Sequence, residues 1–370
     1  MRTIALICCA CALLGAAAGL TVLHEVRHQA AQCLARCVGD DARGRAGSVS
    51  PAPRVVIHSA AAYGLRGPAA IQVAHGQMWI TNSVGNSVTE FGWRLGSQPV
   101  VWSDAGYGFR GPGPVTAGRG RLWVGNVLAN SITELSSMSG AAVRTIANVS
   151  WIATPKALVM YGRRLWVANA ETNTVTEINA ASGGLIAAFS GPRYGFADPD
   201  ALAVSHGRLW VANAGNGSVT EMDATSGAPV ANLRGAAFGL ADPVSEVANR
   251  TRLWVGNEAT SSISEIDTAT GRMVQLIGGR RYGLANPAAM ALAAGHLWVT
   301  SALGNSVTEI DTATGRLLRF LAGARYRFAD PIGIAAYRGR VWVVNLAANS
   351  VTELIPRTAE APRSSTSTAH

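Results

Sequence analysis

Tryptophan recurs along the chain at an almost constant interval. Neighbouring members of the series are 43 or 44 residues apart, and seven of them are present: Trp79, Trp123, Trp166, Trp210, Trp254, Trp298 and Trp342. A repeat of this length that contains several short strands is typical of a β-propeller blade. The sequence therefore predicts one closed array of seven blades, which also accounts for a chain of 370 residues, longer than a single compact core normally reaches.

Each repeat divides into four strand-like runs. In residues 199–235 they read ALAVS, RLWVANA, SVTEMD and PVANL, all rich in β-branched or aliphatic residues. The Asp223–Gly227 run separates the last two, with an aspartate that can accept hydrogen bonds from following amides and a glycine that can adopt positive φ. One carboxylate per turn is too few for a calcium site. We therefore expect an all-β fold with four antiparallel strands per blade.

The last repeat lacks a fourth strand. It contains PIGIAAY, RVWVVNL and SVTELI and then runs into Pro356 and a Ser/Thr-rich tail. The missing pattern lies near the N-terminus, where residues 53–65 match the fourth strand and linker of residues 273–284. The sequence thus predicts that a strand at 54–58 completes the last blade and removes the exposed edge of an open ring.

The N-terminus points to export. Residues 4–22 carry no charge and follow Arg2, which fits either a secretory signal peptide or a membrane anchor, and the protein is expected to be secreted or anchored to the cell membrane facing outward. We divide the chain into a signal or anchor at 1–22, a linker at 23–52, the propeller at 53–356 and a disordered tail at 357–370. All five cysteines lie at or before Cys37, so the propeller has no disulfide.

The charge pattern limits the classes of partner that we expect. The net charge is +9, but the arginines recur once or twice per repeat around the ring instead of forming one stripe, so we expect no nucleic-acid partner and a weak preference for anionic surfaces or ligands. Apolar residues make up 48% and charged residues 14%, which excludes a disordered chain. A monomer is expected.

Sequence motifs of enzymes are largely absent. The propeller has no phosphate-binding glycine loop followed by lysine, no nucleophile elbow and no paired-cysteine zinc pattern. Residues 24–28, HEVRH, spell a zinc-protease motif, but propeller repeats follow it and supply no third ligand, so we interpret it as a chance match. We assign no catalytic residue, no metal site and no cofactor.

Residues present in every blade are best explained by architecture. A glutamate occupies one position in all seven repeats, and we expect it to pair with an arginine or a backbone amide between blades. An asparagine three residues after the tryptophan recurs in six repeats, with Ser301 in the remaining one, and is expected to satisfy backbone groups at a loop. Function should therefore appear where the pattern is broken.

Three ionisable residues break the pattern in the first strands. Lys156 and Asp200 follow the linker proline where other repeats have Ala, Gly, Val or Ile, and Glu246 stands where they have Ile, Val, Leu or Met. A buried Glu246 would need a partner or a raised pKa, a combination that often marks a site, whereas a one-residue slip of the strand would expose it. All three are candidate ligand-binding residues.

The linkers between repeats supply the other candidates. Each contains an aromatic residue, whose regularity favours packing between blades, although Trp151 and Tyr194 are candidates for stacking on a sugar or peptide. Arginines accompany the aromatics in only some repeats, so Arg193, Arg281 and Arg325 are candidates for ligand recognition. The linkers lie on the face that usually binds ligands in propellers.

The repeat resembles a known family. Trp166-Val-Ala-Asn169, Trp210-Val-Ala-Asn213 and Trp342-Val-Val-Asn345 are similar to the signature of YVTN and NHL-type propeller repeats over about residues 53–356. The repeats also resemble those of virginiamycin B lyases, which use His and Glu residues on one face of the ring. The resemblance implies a seven-bladed propeller. We expect an exported binding module for a protein, a cell-envelope sugar or a small ligand, with a lyase or hydrolase of the virginiamycin B lyase-like class as the alternative.

Overall fold

The computed structural model describes residues 52–94, 96–147 and 149–355. They form seven antiparallel sheets of four strands each, as the repeat predicts. Blades 1 to 6 follow chain order, and blade 7 is assembled from both ends of the described chain. The predicted signal or anchor at 1–22 and the tail at 357–370 lie outside the described residues, and so do all five cysteines.

The strands of the first four blades have the following bounds. Blade 1 comprises β2 (Pro68–Ala74), β3 (Gln77–Asn82), β4 (Ser87–Gly92) and β5 (Val100–Trp102); blade 2 comprises β6 (Pro112–Gly118), β7 (Arg121–Asn126), β8 (Ser131–Ser136) and β9 (Ala142–Ile146); blade 3 comprises β10 (Pro155–Tyr161), β11 (Arg164–Asn169), β12 (Thr174–Asn179) and β13 (Leu185–Phe189); blade 4 comprises β14 (Pro199–Ser205), β15 (Arg208–Asn213), β16 (Ser218–Asp223) and β17 (Pro229–Arg234).

The remaining strands repeat the arrangement. Blade 5 comprises β18 (Pro243–Ala248), β19 (Arg252–Asn257), β20 (Ser262–Asp267) and β21 (Met273–Gly278); blade 6 comprises β22 (Pro287–Ala293), β23 (His296–Ser301), β24 (Ser306–Asp311) and β25 (Leu317–Ala322); blade 7 comprises β26 (Pro331–Tyr337), β27 (Arg340–Asn345), β28 (Ser350–Ile355) and β1 (Arg54–Ser59). Helical segments are single turns at Ala60–Tyr63, Ala105–Tyr107, Ala214–Asn216, Ala236–Phe238, Arg280–Tyr282 and Ala324–Tyr326.

Strand β1 closes the ring as predicted. It pairs antiparallel with β28 from Arg54 opposite Ile355 to Ser59 opposite Ser350. His58 Nε2 lies 3.2 Å from the Glu353 carboxylate on the neighbouring strand, and both side chains are buried. The predicted strand at 54–58 is therefore confirmed, and it extends one residue further.

The core lies between neighbouring blades. The second and third strands of each blade are almost fully buried, and the repeated tryptophan lies on the second strand, opposite the repeated glutamate on the third. Leu165 and Val167 of blade 3, for example, pack against Trp123 and Ile132 of blade 2. Because the second strand of each blade is buried on both faces, it reads as a nearly continuous apolar run, as in Leu209–Ala212.

The Asp–Gly turns have the structure expected of turns. Asp223 Oδ1 accepts hydrogen bonds from the amides of Thr225 and Ser226, and Gly227 has a φ of 72°. These amides lower the pKa of the Asp223 carboxyl by stabilising its charged form. The turn needs no cation, and among the described residues no group of three or more His, Cys, Asp or Glu side chains could hold a metal ion.

Helices of the described part of the chain are all short. None of them is long and apolar enough to cross a membrane.

Candidate functional site

The propeller has two chemically different faces. We call the surface made by the turns between first and second strands and between third and fourth strands the hairpin face, and the surface made by the interblade linkers and the loops between second and third strands the linker face. First strands of neighbouring blades contact each other and line the central channel. Each first strand begins with a proline at the linker face and ends at the hairpin face.

Lys156 and Asp200 meet at the linker end of the channel. Each follows the proline that begins its strand, at a bulge in the pairing with the next strand, and Lys156 Nζ lies 3.4 Å from Asp200 Oδ1. Burial raises the pKa of Asp200, while the Lys156 ammonium opposes this effect. The two residues occupy the same position in neighbouring repeats, so their contact directly links blades 3 and 4.

The carboxylate of Glu246 is buried in blade 5. The residue pairs with Val255 of the next strand, and neither carboxylate oxygen is accessible to solvent or has a hydrogen-bond partner among the described residues, although the nearby backbone amide of Ala203 in blade 4 acts to lower the pKa of the carboxyl. Burial raises the pKa of the Glu246 carboxyl well above its usual value. The alternative in which a strand slip exposes this residue is wrong.

The linker candidates are spread around the perimeter. Tyr194 is buried and its hydroxyl donates to the Gly227 carbonyl, while Trp151 is half-buried between blades 2 and 3. The guanidiniums of three exposed arginines each stack on the adjacent tyrosine at 4.7–4.9 Å from the ring centre: Arg193 on Tyr194, Arg281 on Tyr282 and Arg325 on Tyr326. Each arginine is thus held at its own linker: Arg193 contacts the candidate Tyr194, whereas Arg281 and Arg325 contact tyrosines that are not candidates.

The repeated asparagines are structural. Asn213 is fully buried, and its amide donates to the hydroxyls of Ser218 and Thr220 on the third strand. The Thr220 hydroxyl in turn donates to the carbonyl of Tyr194 in the preceding linker. The same bonds recur around the ring. The asparagine three residues after the tryptophan therefore has a structural role, in packing and hydrogen bonding.

The repeated glutamates pair within their own blades, so the expectation of pairing between blades is wrong. Glu265 Oε1 lies 3.1 Å from Arg252 Nε on the neighbouring strand, and Glu177 pairs with Arg164 in the same way. The register explains this, because the arginine lies two residues before the tryptophan that faces the glutamate. Blade 1 has no such arginine, and Glu90 accepts from the Trp102 indole at 3.2 Å instead.

The hairpin face carries a ring of basic residues around the channel. In six of the seven blades the tip of the first hairpin is an exposed arginine or histidine: His75, Arg119, Arg163, His206, Arg250 and Arg338. At the opposite end of the channel, the residues preceding the strand prolines include Asp198, Asp242 and Asp330. The channel therefore has basic side chains around its hairpin end, whereas several carboxylates lie at its linker end.

Two clefts open on the hairpin face, on either side of the Arg119 hairpin. The first, of about 350 Å³, lies between blades 2 and 3 and is lined by Gly118, Arg119, Arg121, Trp123, Glu134, Arg144, Met160, Arg163, Ala180 and Ala181. The second, of about 360 Å³, lies between blades 1 and 2 and includes His75, Arg119 and Ser137. Sequence reasoning searched for departures from the repeat only in the channel and linkers, so it missed these residues.

A signal for the first cleft is present in the sequence. In other blades the first hairpin ends with glycine or has an extra residue, whereas blade 3 has the order Gly162-Arg163. The fourth-strand residue opposite the repeated glutamate is an arginine only in blades 2 and 6, as Arg144 and Arg319. Both arginines are departures of the kind that the repeat makes visible.

Comparisons with known proteins identify the fold. No protein-family model matches the sequence, and no curated protein matches it. Among solved structures, virginiamycin B lyase from Staphylococcus aureus has a TM-score of 0.69 at 17% identity, covering 82% of this chain and 99% of its own.

Two further structures give the same result. The hydrazine synthase of Kuenenia stuttgartiensis has a TM-score of 0.64 at 16% identity, covering 80% of this chain and 96% of its own. The RRP9 WD40 repeats have a TM-score of 0.66 at 14% identity, covering 83% and 100%. Because lyase, synthase and WD40 propellers are matched at similarly low identity, the likeness extends to the fold and not to an activity. The chain is a seven-bladed β-propeller of the kind found in virginiamycin B lyase.

Proposed function

We propose that this protein is an exported binding module whose hairpin face contacts an anionic partner, such as an acidic glycan of the cell envelope. The observation that carries the proposal is the ring of basic hairpin tips around the channel, which no acidic tip interrupts among the described residues. Charges of one sign gathered around an opening concentrate their field there and attract ligands of the opposite sign.

Export is proposed from the uncharged run at residues 4–22, which fits a signal peptide or a membrane anchor. An acidic glycan of the cell envelope is a partner that an exported protein would meet.

The test compares the two faces. Binding of the full chain to immobilised polygalacturonate is measured at low and high salt, with neutral dextran as the control polymer. Arg272 is a further exposed arginine of the hairpin face, in the turn between β20 and β21. The hairpin-face variant Arg250→Gln/Arg272→Gln/Arg338→Gln should lose at least about tenfold in affinity. A linker-face variant with the same charge change at three exposed linker arginines, Arg66→Gln/Arg110→Gln/Arg327→Gln, should bind like the parent protein, because the carbonyls of Arg66 and Arg110 accept hydrogen bonds from loops between second and third strands.

The outcomes separate the hypotheses. Loss of binding only in the linker-face variant would show that the ligand binds at the linkers. Binding that neither variant weakens would show that these arginines do not form the binding surface. Salt-insensitive binding would also contradict the proposal, because exposed ion pairs are screened.

The second candidate is a lyase or hydrolase acting at the linker end of the channel. It is favoured by the contact between Lys156 and Asp200, whose raised pKa suits proton transfer, and by the fold shared with virginiamycin B lyase. Incubation with virginiamycin B tests it: turnover by the parent protein that is lost in a folded Lys156→Met variant would establish an enzyme. Absence of turnover in the parent protein contradicts this substrate.

A further inference from the structure

The cleft between blades 2 and 3 concentrates positive charge. Four arginines and one glutamate line it, which leaves a net charge of about +3 when the carboxylate is ionised. Arg119 and Arg163, on the two hairpins that border the cleft, are exposed, and their side chains make no hydrogen bond or ion pair with any described residue. Two guanidiniums are therefore available to a ligand.

Buried Glu134 fixes the other two guanidiniums. Its carboxylate is 1% exposed and lies 3.0 Å from Arg121 Nε and 2.6 Å from Arg144 Nε. Arg144 Nη2 also donates to the Ala181 carbonyl of blade 3 at 2.8 Å. A guanidinium has five N–H donors, so these contacts hold both groups in place and leave N–H groups unused. Burial raises the pKa of Glu134, and both arginines oppose this effect.

Small residues leave the cleft open. Gly118 ends the first strand of blade 2, at the position where blades 3 and 7 have Tyr161 and Tyr337, whose hydroxyls reach glycines in the hairpins of the following blades. Ala180 and Ala181 line the opposite wall. A Cβ at Gly162, on the hairpin of blade 3, would meet no atom within 4 Å. The space that a tyrosine fills elsewhere is thus vacant here.

Blade 6 shows what the same pair does without a ligand role. Arg319 Nε lies 3.0 Å from Glu309, as Arg144 does from Glu134, but the Arg319 side chain is 13% exposed and that of Arg144 is 30% exposed. Of the two first hairpins beside it, that of blade 6 has Ala294-Gly295 at its tip, and that of blade 7 has Arg338, whose Nε donates to the Tyr337 hydroxyl. Pairing with the glutamate is therefore structural, whereas the greater exposure of the paired arginine and its two flanking arginines without side-chain hydrogen bonds to described residues distinguish the cleft beside blade 2 from the one beside blade 6.

We propose that this cleft binds a compact, multiply charged anion, a phosphate ester or a polycarboxylate, between Arg119, Arg144 and Arg163. Guanidiniums bind both groups through paired, charge-assisted hydrogen bonds, and two or three negative charges balance the cleft. This inference relies on the proposed function only in assigning ligand binding to the hairpin face. In an acidic glycan the same chemistry would be supplied by one charged residue of the polymer.

The test is calorimetric titration of the full chain at low salt with pyrophosphate and, separately, with citrate. One ion should bind per chain. The anion that binds more tightly shows whether the site prefers phosphates or carboxylates. Arg163→Gln should weaken binding at least about tenfold, since it removes one free charge-assisted contact. Arg234→Gln, at an exposed arginine of β17 in blade 4 that does not line the cleft, should leave it unchanged.

A second variant tests the space independently of charge. Gly118→Tyr should fill the cleft and abolish binding. Because its Cβ would lie 3.3 Å from Cβ and Cγ of Met160, the melting temperature is measured in parallel to show that the variant is folded. Absence of binding by the parent protein, or binding unaffected by both Arg163→Gln and Gly118→Tyr, overturns the site.

Failure of this site and failure of the proposed function are distinguishable. Polygalacturonate binding depends on Arg250, Arg272 and Arg338, which lie outside the cleft. If the polymer binds and neither small anion does, only the cleft is rejected. If a small anion binds and the polymer does not, the cleft is supported as a binding site, and the proposal that the whole hairpin face binds an acidic polymer is rejected.

Discussion

The side-chain oxygen of Asn349 accepts a hydrogen bond from the backbone amide of Gly67 at 2.6 Å. The two residues are 282 positions apart, so this bond joins the last blade to the linker that enters the first one. The same bond connects other neighbouring blades, as between Asn86 and Gly111. Each of these asparagines has positive φ, which asparagine tolerates better than most residues.

Replacement of Asn349 should therefore weaken the ring at its closure. Asn349→Ala removes the acceptor and the favoured residue for a φ of 47°, and should lower the free energy of unfolding by about 1–2 kcal/mol. Asn349→Gly keeps the backbone conformation and isolates the hydrogen bond, so its effect should be smaller. Urea denaturation measures both; equal stability of Asn349→Ala and the parent protein would contradict this role.

Removal of the closing strand should have a larger effect. A chain beginning at residue 60 lacks β1, leaves β28 as an exposed edge and deprives Glu353 of His58. We expect its melting temperature to fall by at least about 10 °C relative to a chain that begins at residue 52. Calorimetry of the two chains checks this, and matching melting temperatures would show that the ring does not need its N-terminal strand.

Much of this fold can be predicted from the sequence because each blade repeats the same local sequence pattern. The tryptophan, the Asp–Gly turn and the missing last strand each predict a feature that the structure contains, down to the pairing of Arg54 with Ile355. The repeated glutamate was expected to pair between blades with an arginine or a backbone amide. An arginine is its partner in most blades, but the expected place was wrong, because strand register brings Arg252 to Glu265 within one blade.

The cleft was beyond sequence reasoning for a different reason. Gly118 reads as an ordinary turn residue beside Arg119 and Gly120. Its importance depends on which residue of the next blade it faces, and only the three-dimensional packing shows that Tyr161 and Tyr337 fill the equivalent space. Whether the ligand-binding candidates Lys156, Asp200 and Glu246 act in function stays a prediction, although the structure shows where each one lies.

Ser301 offers a stabilising substitution. It stands where six blades have asparagine, and its buried hydroxyl has no hydrogen-bond partner among the described residues. In blade 7 the Asn345 amide donates to Ser350 and Thr352, whose counterparts in blade 6 are Ser306 and Thr308. Ser301→Asn should raise the free energy of unfolding by about 1 kcal/mol.

The reverse substitution is the control for that prediction. Asn345→Ser should lower the free energy of unfolding by a similar amount, because it removes the same two bonds from blade 7. Both variants are compared by urea denaturation. A less stable Ser301→Asn protein would show that blade 6 lacks room for the larger side chain.

Glu246 should make stability depend on pH. Its folded-state pKa is raised by burial, so the folded protein retains a proton that the unfolded chain releases. The free energy of unfolding should then be highest below the unfolded pKa of this carboxyl and decrease as the pH rises through its folded value. Replacement by leucine, the residue at the equivalent position in blades 3 and 4, should remove this dependence and raise the melting temperature at pH 8 by at least about 2 °C.

Glu246→Gln separates charge from packing. It keeps the shape of the side chain and cannot ionise, so its melting temperature should change less between pH 5 and pH 8 than that of the parent protein. Glu171→Gln, at an exposed loop glutamate, should retain the parent pH dependence. If Glu246→Gln shows the same loss of stability with rising pH as the parent protein, the carboxyl is already ionised in the folded state and must have a partner that the described residues do not supply.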